Sequence, residues 1–485
     1  MAITRRQFLK GGGLVTAGTL FGPGFFGHGL LRSAQAALED NDRYFVVIFL
    51  NGGNDGLNTV VPVDNVAGLR AAYDAARSSI NITPTQLANS LIGLDPISGT
   101  QLGIHPGFNV PNGYFDNGAG AGGLKSLYDL GKVAVVQGCG YPEYSLSHEE
   151  ARIIWQTGVP LGAPAGTGWV GRYLAYEYAG NEIPAVNIDD SIVGEFRQTG
   201  TSVLAVRDLE NFRFPFDDAY SDDDAAKAAA FAALNQSAVS GAQPAALFIG
   251  NTGLATYDAA AAFQSLSGLY EGDRAAQSQL YSDVGRSLAY DLRQVASVIY
   301  GVEQGVPNVS ARFFQVSNGG YDTHSDQGGA DPNGQHFSLH AELGGALKVF
   351  YDDLASMPGN VANRVCVLVW SEFSRRIVQN QNGTDHGSQG PMFVIGGGVQ
   401  GGVYGRHPNI EASALDDEGN TTYTQDANSF RSTDFRDVYG TILKHWVNLP
   451  PATVQTLLPL DATAEALADP AHYWRSANFD LGFLP

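Results

Sequence analysis

The amino-acid sequence predicts an α/β protein built on a doubly wound parallel sheet. Apolar runs of strand length, rich in β-branched and aromatic residues, alternate with segments whose apolar residues recur at helical spacing. Continuously apolar strands are typical of a parallel sheet, and their alternation with helices indicates a sheet covered on both faces. The predicted strands are residues 44–50, 132–137, 185–188, 246–250, 312–316, 364–370 and 392–396, and the clearest predicted helices are residues 147–156, 341–354 and 434–446.

The N-terminus has the pattern of a twin-arginine export signal. Arg5 and Arg6 are followed by a glycine-rich, weakly apolar stretch, and residues 34–36 form a small-x-small signal-peptidase site. We expect residues 1–36 to be removed and residues 37–485 to form one domain. The twin-arginine translocase is then the export partner, and the protein is expected to be periplasmic or secreted.

Composition excludes several classes of partner. The net charge of −21 becomes −25 without residues 1–36, because that segment contains four basic residues and no acidic one. So acidic a chain is not expected to bind nucleic acid or an anionic membrane. After the signal no apolar run reaches the roughly 18 residues of a membrane span, so we expect no membrane span in the mature chain.

The two cysteines limit which cysteine-based sites the chain can form. Cys139 and Cys366 lie in separate predicted strand regions, which excludes a centre built on a Cys-x-x-Cys pair. An oxidising periplasm permits one disulfide between them. The sequence leaves open whether they are bonded or are two buried thiols.

Residues 217–303 differ in composition from the rest of the chain. They are alanine-rich, with apolar residues at helical spacing in AAKAAAFAAL and SLAYDLRQVASVIYGV. We expect a helical insertion packed over the sheet or its rim. The sequence does not distinguish a cap over a ligand site from a structural layer.

Acidic and histidine residues lie close to three predicted strands in the C-terminal half. Asp322 and His324 follow one strand, Glu372 follows the next, and Asp385 and His386 come just before the last. Ligands of open α/β sheets bind beyond the carboxyl ends of the strands. Carboxylates mixed with imidazoles suit Zn, Mn, Fe or Ca. The sequence therefore predicts a divalent-metal site, and a metal-dependent hydrolase is the first hypothesis.

Several serine, arginine and histidine residues each allow two interpretations from the sequence. Ser147, at the predicted start of a helix, is either an N-cap or a nucleophile beside free backbone N–H groups. Arg375 and Arg376 either bind a substrate anion or form salt bridges. His336 and His340, four residues apart, either reach a metal from one helix face or are surface or supporting residues.

Several segments resemble a known family. They are FLNGGNDGLNTVVP (49–62), IHPGF (104–108), GYPEYSLSHEE (140–150), GWVGRYL (168–174), GGYDTH, SEFSRR, GTDHGSQGPMFVIGGG and TDFRDVYGTIL (433–443), besides the twin-arginine start. They are similar to an exported family of unknown function, the one numbered fifteen hundred and one, in the alkaline phosphatase and sulfatase superfamily. The resemblance implies an alkaline-phosphatase-like three-layer α/β/α sandwich that carries the helical insertion.

The resemblance also implies roles for individual residues. Asp55, or Asn51 in the same loop, corresponds to the ligand after the first strand, and Ser147 with His148 beside it corresponds to the catalytic position. His105, within IHPGF, is expected at the rim of the pocket. The other implied metal ligands are Asp322, His324, Glu372, Asp385 and His386, and the implied substrate-binding residues are His105, Arg375 and Arg376.

Three departures from the superfamily pattern matter. Many members have Asp-His where this chain has Glu372 and Phe373, and the first motif has Asn where Asp is usual. No Cys-x-Pro-x-Arg motif is present, so a formylglycine sulfatase mechanism is not supported.

On this resemblance we expect an exported metal-dependent hydrolase or transferase that acts on an anionic phosphate or sulfate ester. Ser147 would attack the ester directly, or a water molecule would do so. The alternative is a non-catalytic, metal-stabilised envelope or polymer-binding protein of the same fold, which Phe373 and the irregular first motif favour. The metal hypothesis requires the side chains of Asp322, His324, Glu372 and His386 to converge.

Overall fold

A computed structural model describes most of the chain after the predicted signal. The signal itself and residues 213–223, at the start of the predicted insertion, lie outside the described residues. In the described part, no helix is both long enough and apolar enough to cross a membrane. The described residues are 42–110, 122–159, 166–178, 183–198, 202–212, 224–241, 243–411, 428–429, 431–459 and 480–485.

The strands belong to one large sheet and two small ones. In chain order they are β1 (Tyr44–Leu50), β2 (Val60–Pro62), β3 (Leu91–Leu94), β4 (Gln101–Ile104), β5 (Val133–Gly140), β6 (Ala185–Asn187), β7 (Val203–Ala205), β8 (Phe313–Asn318), β9 (Val365–Ser371), β10 (Ser374–Arg375), β11 (His386–Gly387), β12 (Gly390–Gly396), β13 (Gly402–Tyr404) and β14 (Thr433–Asp434).

The helices lie between these strands. In chain order they are α1 (Gly56–Thr59), α2 (Leu69–Ala76), α3 (Pro84–Leu87), α4 (Gly123–Asp129), α5 (His148–Thr157), α6 (Trp169–Glu177), α7 (Asp224–Val239), α8 (Pro244–Asp273), α9 (Ala275–Val284), α10 (Ser287–Glu303), α11 (Gln335–Ser356), α12 (Phe435–Thr441) and α13 (Pro451–Leu457). Short 3-10 turns occur at Pro106–Asn109, Gly194–Phe196 and Val361–Arg364, and a π-helical turn at Ile442–Trp446 follows α12.

The nine-stranded central sheet is mostly parallel. Its order is β13-β5-β12-β9-β1-β8-β6-β7, with β14 beside β5. Among the described strands of this sheet, β12 alone is antiparallel to its neighbours. Strands β2, β4 and β3 form a separate antiparallel sheet, and β10 pairs with β11 in a two-stranded ribbon.

Helices cover both faces of this sheet because its central strands are apolar on both faces. All seven residues of β1 are buried. Tyr44 and Val46 pack into one core cluster with α10 and α11, whereas Phe45 and Val47 pack into a second cluster with α5, α6 and α12. The expectation of a mixed α/β fold with a largely parallel sheet is confirmed.

The strand predicted at residues 246–250 is wrong. These residues lie inside α8, which begins with Pro244 at its first position. Proline is compatible with the first turn of a helix, and the surrounding alanines favour helix. A short apolar run cannot be assigned to strand or helix by periodicity alone. The run at residues 392–396 is a strand, as predicted, but it runs antiparallel.

The region of the predicted insertion contains α7, α8, α9 and α10. The second half of α8 packs into the core through Phe263, Leu266 and Tyr270, and eleven of the seventeen residues of α10 are buried. This part therefore forms a structural layer on one face of the sheet.

The two cysteines are buried, free thiols. Cys139 is on β5 and Cys366 is on β9, and β12 lies between these strands. Burial raises the pKa of both thiols. They are therefore small apolar core residues, and the structure contains no disulfide between them.

A buried glutamate makes the stability depend on pH. Glu195 is fully buried, and burial raises its pKa to about 7, although the Gln156 amide and the charge of Arg152 oppose the shift. Between the ordinary pKa of a glutamate and pH 7, the unfolded chain loses this proton while the folded chain keeps it, so rising pH destabilises the fold.

We therefore expect the free energy of unfolding of Glu195→Gln, relative to that of the wild type, to increase by about 3 kcal/mol as the pH rises from about 4.5 to 7. Urea unfolding of both proteins across this range measures the difference. A difference that stays constant with pH would contradict the assignment.

Candidate active site

The loop after β1 presents two backbone N–H groups at the carboxyl edge of the sheet. Gly52 and Gly53 have φ angles of +124° and +79°. A Cβ atom on Gly52 would lie 2.3 Å from the backbone nitrogen of Asp322, and one on Gly53 would lie 2.3 Å from the ring of Phe373. Only glycine fits these positions. The two N–H groups donate to the carboxylate of Glu372, at 2.9 and 3.2 Å.

Arg375 holds the loops of the site together. Its side chain is buried and donates to the carboxylate of Asp322 at 2.7 Å. The same guanidinium donates to backbone carbonyls of three loops, those of Gly52, Gly53, Tyr321 and Thr384. The expectation that Arg375 clamps a substrate is therefore corrected, because its donors are directed to the protein. It positions Asp322.

Three histidine side chains converge on the carboxylate of Asp322. The Nε2 atoms of His324 and His386 are each 3.1 Å from Oδ1 of Asp322 and 3.1 Å from one another. Nε2 of His148 is 3.6 Å from Oδ2. The side chain of Asp322 is 46 % exposed, so solvent reaches the centre of the group.

The electrostatics of the group follow from its hydrogen bonds. Burial alone would raise the pKa of Asp322, but the neighbouring Arg375 and His386 side chains lower it to about 2. The hydrogen bond with His324 lowers the pKa of Asp385. Burial lowers the pKa of His386, which favours the neutral form of that ring. The hydrogen bond with Glu372 raises the pKa of His148.

Each of the three histidines is oriented by a second acceptor. A carbonyl oxygen and an ionised carboxylate accept hydrogen bonds but do not donate them, so the histidine nitrogen that faces them carries the proton. The proton is then on Nδ1, and the Nε2 lone pair of a neutral ring faces Asp322. The contacts, each 2.8 Å long, are His148 Nδ1 to Glu372 Oε1, His324 Nδ1 to Asp385 Oδ1, and His386 Nδ1 to the carbonyl oxygen of Leu146.

This donor set fits a divalent cation. Lone pairs of two imidazoles and a carboxylate oxygen repel one another at 3.1 Å unless positive charge lies between them. Bonds of the length found in zinc sites place neighbouring tetrahedral ligands about 3.3 Å apart, close to the observed spacing. Ligand atoms of His148, Asp322 and His386 also lie within 4.8 Å of one another. Outer acceptors on ligand histidines are typical of metal sites.

The geometry changes the roles of three predicted residues. Glu372 and Asp385, expected as metal ligands, bind the outer nitrogens of His148 and His324. They are placed to orient the imidazoles. His148, expected beside the nucleophile, is directed into the group and could hold a metal with His324, His386 and Asp322.

Ser147 is at the edge of the group. It is exposed, it is the N-cap residue of α5, and its hydroxyl makes no capping hydrogen bond. The residue before it, Leu146, accepts from His386, and the residue after it, His148, contacts Glu372 and Asp322. The serine is therefore flanked on both sides by residues of the group.

Asp55 is an interior residue. It is fully buried, forms an ion pair with Arg77, accepts a hydrogen bond from Gln327, and caps α1 through the N–H of Leu57. Burial alone would raise its pKa, but the charge and hydrogen bond of Arg77, together with His336 and Gln327, outweigh this effect and the net shift is downward. The expected ligand role is corrected, because Arg77 and Gln327 already bind this carboxylate.

Three further histidines form an interior polar cluster beside the loop after β1. His105, His336 and His340 are fully buried, and their ring centroids are 4.0 to 5.1 Å apart. Burial lowers the pKa of all three, and that of His105 falls to about 4. The expectation that His105 lies at a pocket rim is therefore wrong. Their partners are Gly329 O for His105, Asn54 Oδ1 for His336 and Thr59 Oγ1 for His340.

Sequence reasoning missed the groups that support the site. The carbonyl of Leu146 has no sequence signal, and Arg77 is far along the chain from its partner's loop. The glycine pair in NGGND was a usable signal, since adjacent glycines indicate a backbone that approaches another group closely.

Arg376 is half-buried, and its backbone N–H donates to Asp385 O and its carbonyl accepts from Arg77.

We expect Arg375→Met to destabilise the fold by about 3–5 kcal/mol, because it leaves Asp322 and several buried carbonyls without their donor. Urea unfolding at pH 7 measures the loss. The neighbouring change Arg376→Met, at a half-buried side chain, serves as the matched control and should cost less than half as much. Equal losses would contradict the central role of Arg375.

Comparison with protein families identifies two matches. Residues 2–22 match the twin-arginine translocation pathway signal sequence, so the protein is exported by the twin-arginine translocase and is periplasmic or secreted. No curated protein and no solved structure matches the chain. Residues 139–445, more than half of the chain and including the three histidines around Asp322, match the family described as "Protein of unknown function (DUF1501)". The chain therefore belongs to this family.

Proposed function

We propose that this protein is an exported metal-dependent hydrolase or transferase that acts on a phosphate or sulfate ester. One observation carries the proposal: three imidazole Nε2 atoms converge on the carboxylate of Asp322, and an outer acceptor orients each ring. Three nitrogen donors and one oxygen donor favour Zn, Mn or Fe over Ca, which prefers oxygen ligands alone.

The residues divide into two groups in this proposal. His148, His324, His386 and Asp322 would hold the ion, whereas Glu372, Asp385 and the carbonyl of Leu146 would keep the imidazoles in position. A bound ion would polarise the ester oxygens and lower the pKa of the attacking hydroxyl. The exposure of Asp322 leaves this centre open to a substrate from solvent.

Ser147 is the residue that we propose as the nucleophile. It lies at the amino end of the ten-residue helix α5, where free N–H groups and the helix dipole stabilise an anionic group. Its hydroxyl oxygen would bond to the phosphorus or sulfur atom while the ester oxygen leaves with a proton, and water would then release the acid. Direct attack by water is the other route.

The alkaline-phosphatase-like arrangement is part of the same proposal. What supports it is the order of the parts: polar loops follow the adjacent strands β9, β1 and β8, and the serine lies at the start of the helix that follows β5. In parallel sheets such loops meet at one edge. The function is proposed from the site, because this arrangement alone does not fix an activity.

A non-catalytic metal-binding protein of the envelope is the second candidate. The ring of Phe373 lies 4.8 Å from that of His148 and 4.4 Å from that of His386, at the position where many superfamily members carry another imidazole. Asp55 is paired with Arg77. Both observations favour a single-ion site, which can stabilise a fold or bind a polymer without turnover.

Replacement of an orienting carboxylate tests the metal site without removing a ligand. We expect Asp385→Asn to weaken Zn²⁺ binding by about ten- to a hundredfold, because the amide does not hold His324 in one tautomer as a carboxylate does. Competition with a chromophoric chelator measures the affinity.

Asp331→Asn is the matched control, since Asp331 is an exposed aspartate that accepts from the nearby Asn333 N–H. It should leave Zn²⁺ affinity unchanged. An unaltered affinity in Asp385→Asn, or no Zn²⁺ binding by the wild type, would count against the metal site.

Turnover of an aryl phosphate and an aryl sulfate by protein purified from the periplasm tests the reaction. We expect metal-dependent turnover of one ester and a loss of about a thousandfold or more in kcat for Ser147→Ala, because the nucleophile is removed. The exposed Ser265→Ala is the control and should retain full activity.

The outcomes separate the candidates. Full activity of Ser147→Ala would leave attack by water as the route. Metal binding without turnover of either ester would favour the non-catalytic protein, and turnover that survives removal of the metal would contradict both.

A further inference from the structure

We propose that the helical hairpin formed by α7 and the first half of α8 is the interface through which two copies of this chain form a dimer. The hairpin consists of residues 224–239 and 244–258. It belongs to neither the site around Asp322 nor the core of the sheet, so this inference is independent of the proposed function.

Among the described residues, the hairpin has little contact with the rest of the chain: Thr252 meets the hydroxyl of Ser202, and Ala255 is partly buried against the core. None of the sixteen residues of α7 is buried. The buried core residues of α8 begin at Ala259 and continue through Phe263, Leu266 and Tyr270. The preceding fifteen residues of α8 extend about 20 Å at the rise of an α-helix, and α7 lies against them.

Large apolar side chains on this hairpin are open to solvent. Leu234 is 72 % exposed and Ile249 is 64 % exposed, and Leu247 and Phe248 are 40 % and 38 % exposed. Isolated exposed apolar residues are ordinary on protein surfaces, but a group of them on one element marks an interaction site. Since none of its residues is buried, α7 gains little packing energy from its contact with α8, and we expect it to have a partner outside the described fold.

The charge distribution favours a second copy as the partner. Residues 228–257 contain no charged residue, although the whole chain has a net charge of −21. Two copies that approach through most other surfaces bring like charges together. The uncharged hairpin is a surface on which two copies can meet without that cost, and its apolar residues would then be removed from water.

The hairpin has the shape for a symmetric contact. Its helices approach closely at Gly250 and Gly253, where a Cβ atom would lie within 3 Å of Asn235. Two such hairpins packed about a two-fold axis form a four-helix bundle, in which both copies use the same surface. A face about 20 Å long and two helices wide is the size of a small, reversible interface.

Sedimentation velocity of the mature chain tests the proposal. We expect a reversible dimer with a dissociation constant on the order of micromolar, as a small interface of this kind implies. Leu234→Glu and Ile249→Glu should each raise the dissociation constant about a hundredfold or more, since they place like charges on the two-fold contact. Both residues are exposed in one copy, so circular dichroism should show an unchanged thermal transition at low concentration.

Matched controls are available on other surfaces. Leu130→Glu and Ile97→Glu change residues that are 61 % and 68 % exposed outside the hairpin, and the dimer should persist in both. A wild-type chain that stays monomeric up to about 100 μM, or controls that dissociate as the hairpin variants do, would overturn the proposal. So would a monomer that floats with phosphatidylcholine vesicles through Leu234 and Ile249, because the partner would then be a lipid surface.

Discussion

The buried guanidinium of Arg375 is the interaction on which the site depends. Loops after β1 and β8, and the segment before β11, all direct carbonyl oxygens toward it. Buried carbonyls need donors, and arginine offers five N–H groups in one plane. The one guanidinium therefore satisfies carbonyls from three loops at a single point. The carboxylate of Asp322 balances its charge, and this pairing fixes Oδ1 where His324 and His386 reach it.

Backbone groups fix the orientations of the histidine rings. Glu372 orients His148 on α5, but the Gly52 and Gly53 N–H groups hold Glu372 in turn, so the loop after β1 determines the position of a ring on a distant helix. His386 depends in the same way on the carbonyl of Leu146. Because each ring is held by a group that does not face the centre, a substitution in these supporting groups changes the direction of the Nε2 atoms without removing them.

The sequence predicts those features of the fold and the site that depend on residues close together in the chain. The first strand was predicted with its observed bounds, 44–50, because all its residues are buried on one face or the other. Residues 322, 324 and 386 were found because they lie close to apolar runs. The direction of β12 was not predictable, since strand pairing and connections determine it. Sequence spacing does not say which way an imidazole points, so it does not predict the contact between Glu372 and His148, nor does it predict that Arg77 pairs with Asp55.

Arg375 also bears on how so acidic a protein would bind an anionic ester. At a distance the chain's net charge of −21 repels such a ligand, although salt screens this over about 8–10 Å. Inside the site, the three histidines add no negative charge, and Arg375 neutralises the one acidic residue that they surround. The carboxylates of Glu372 and Asp385 lie behind the rings, each against an outer imidazole nitrogen, and are not directed at the centre. The charge of a bound dication would then not be cancelled by its own ligands, as it is in carboxylate-rich sites. The same contact that closes the loops would therefore leave positive charge available for the ester oxygens.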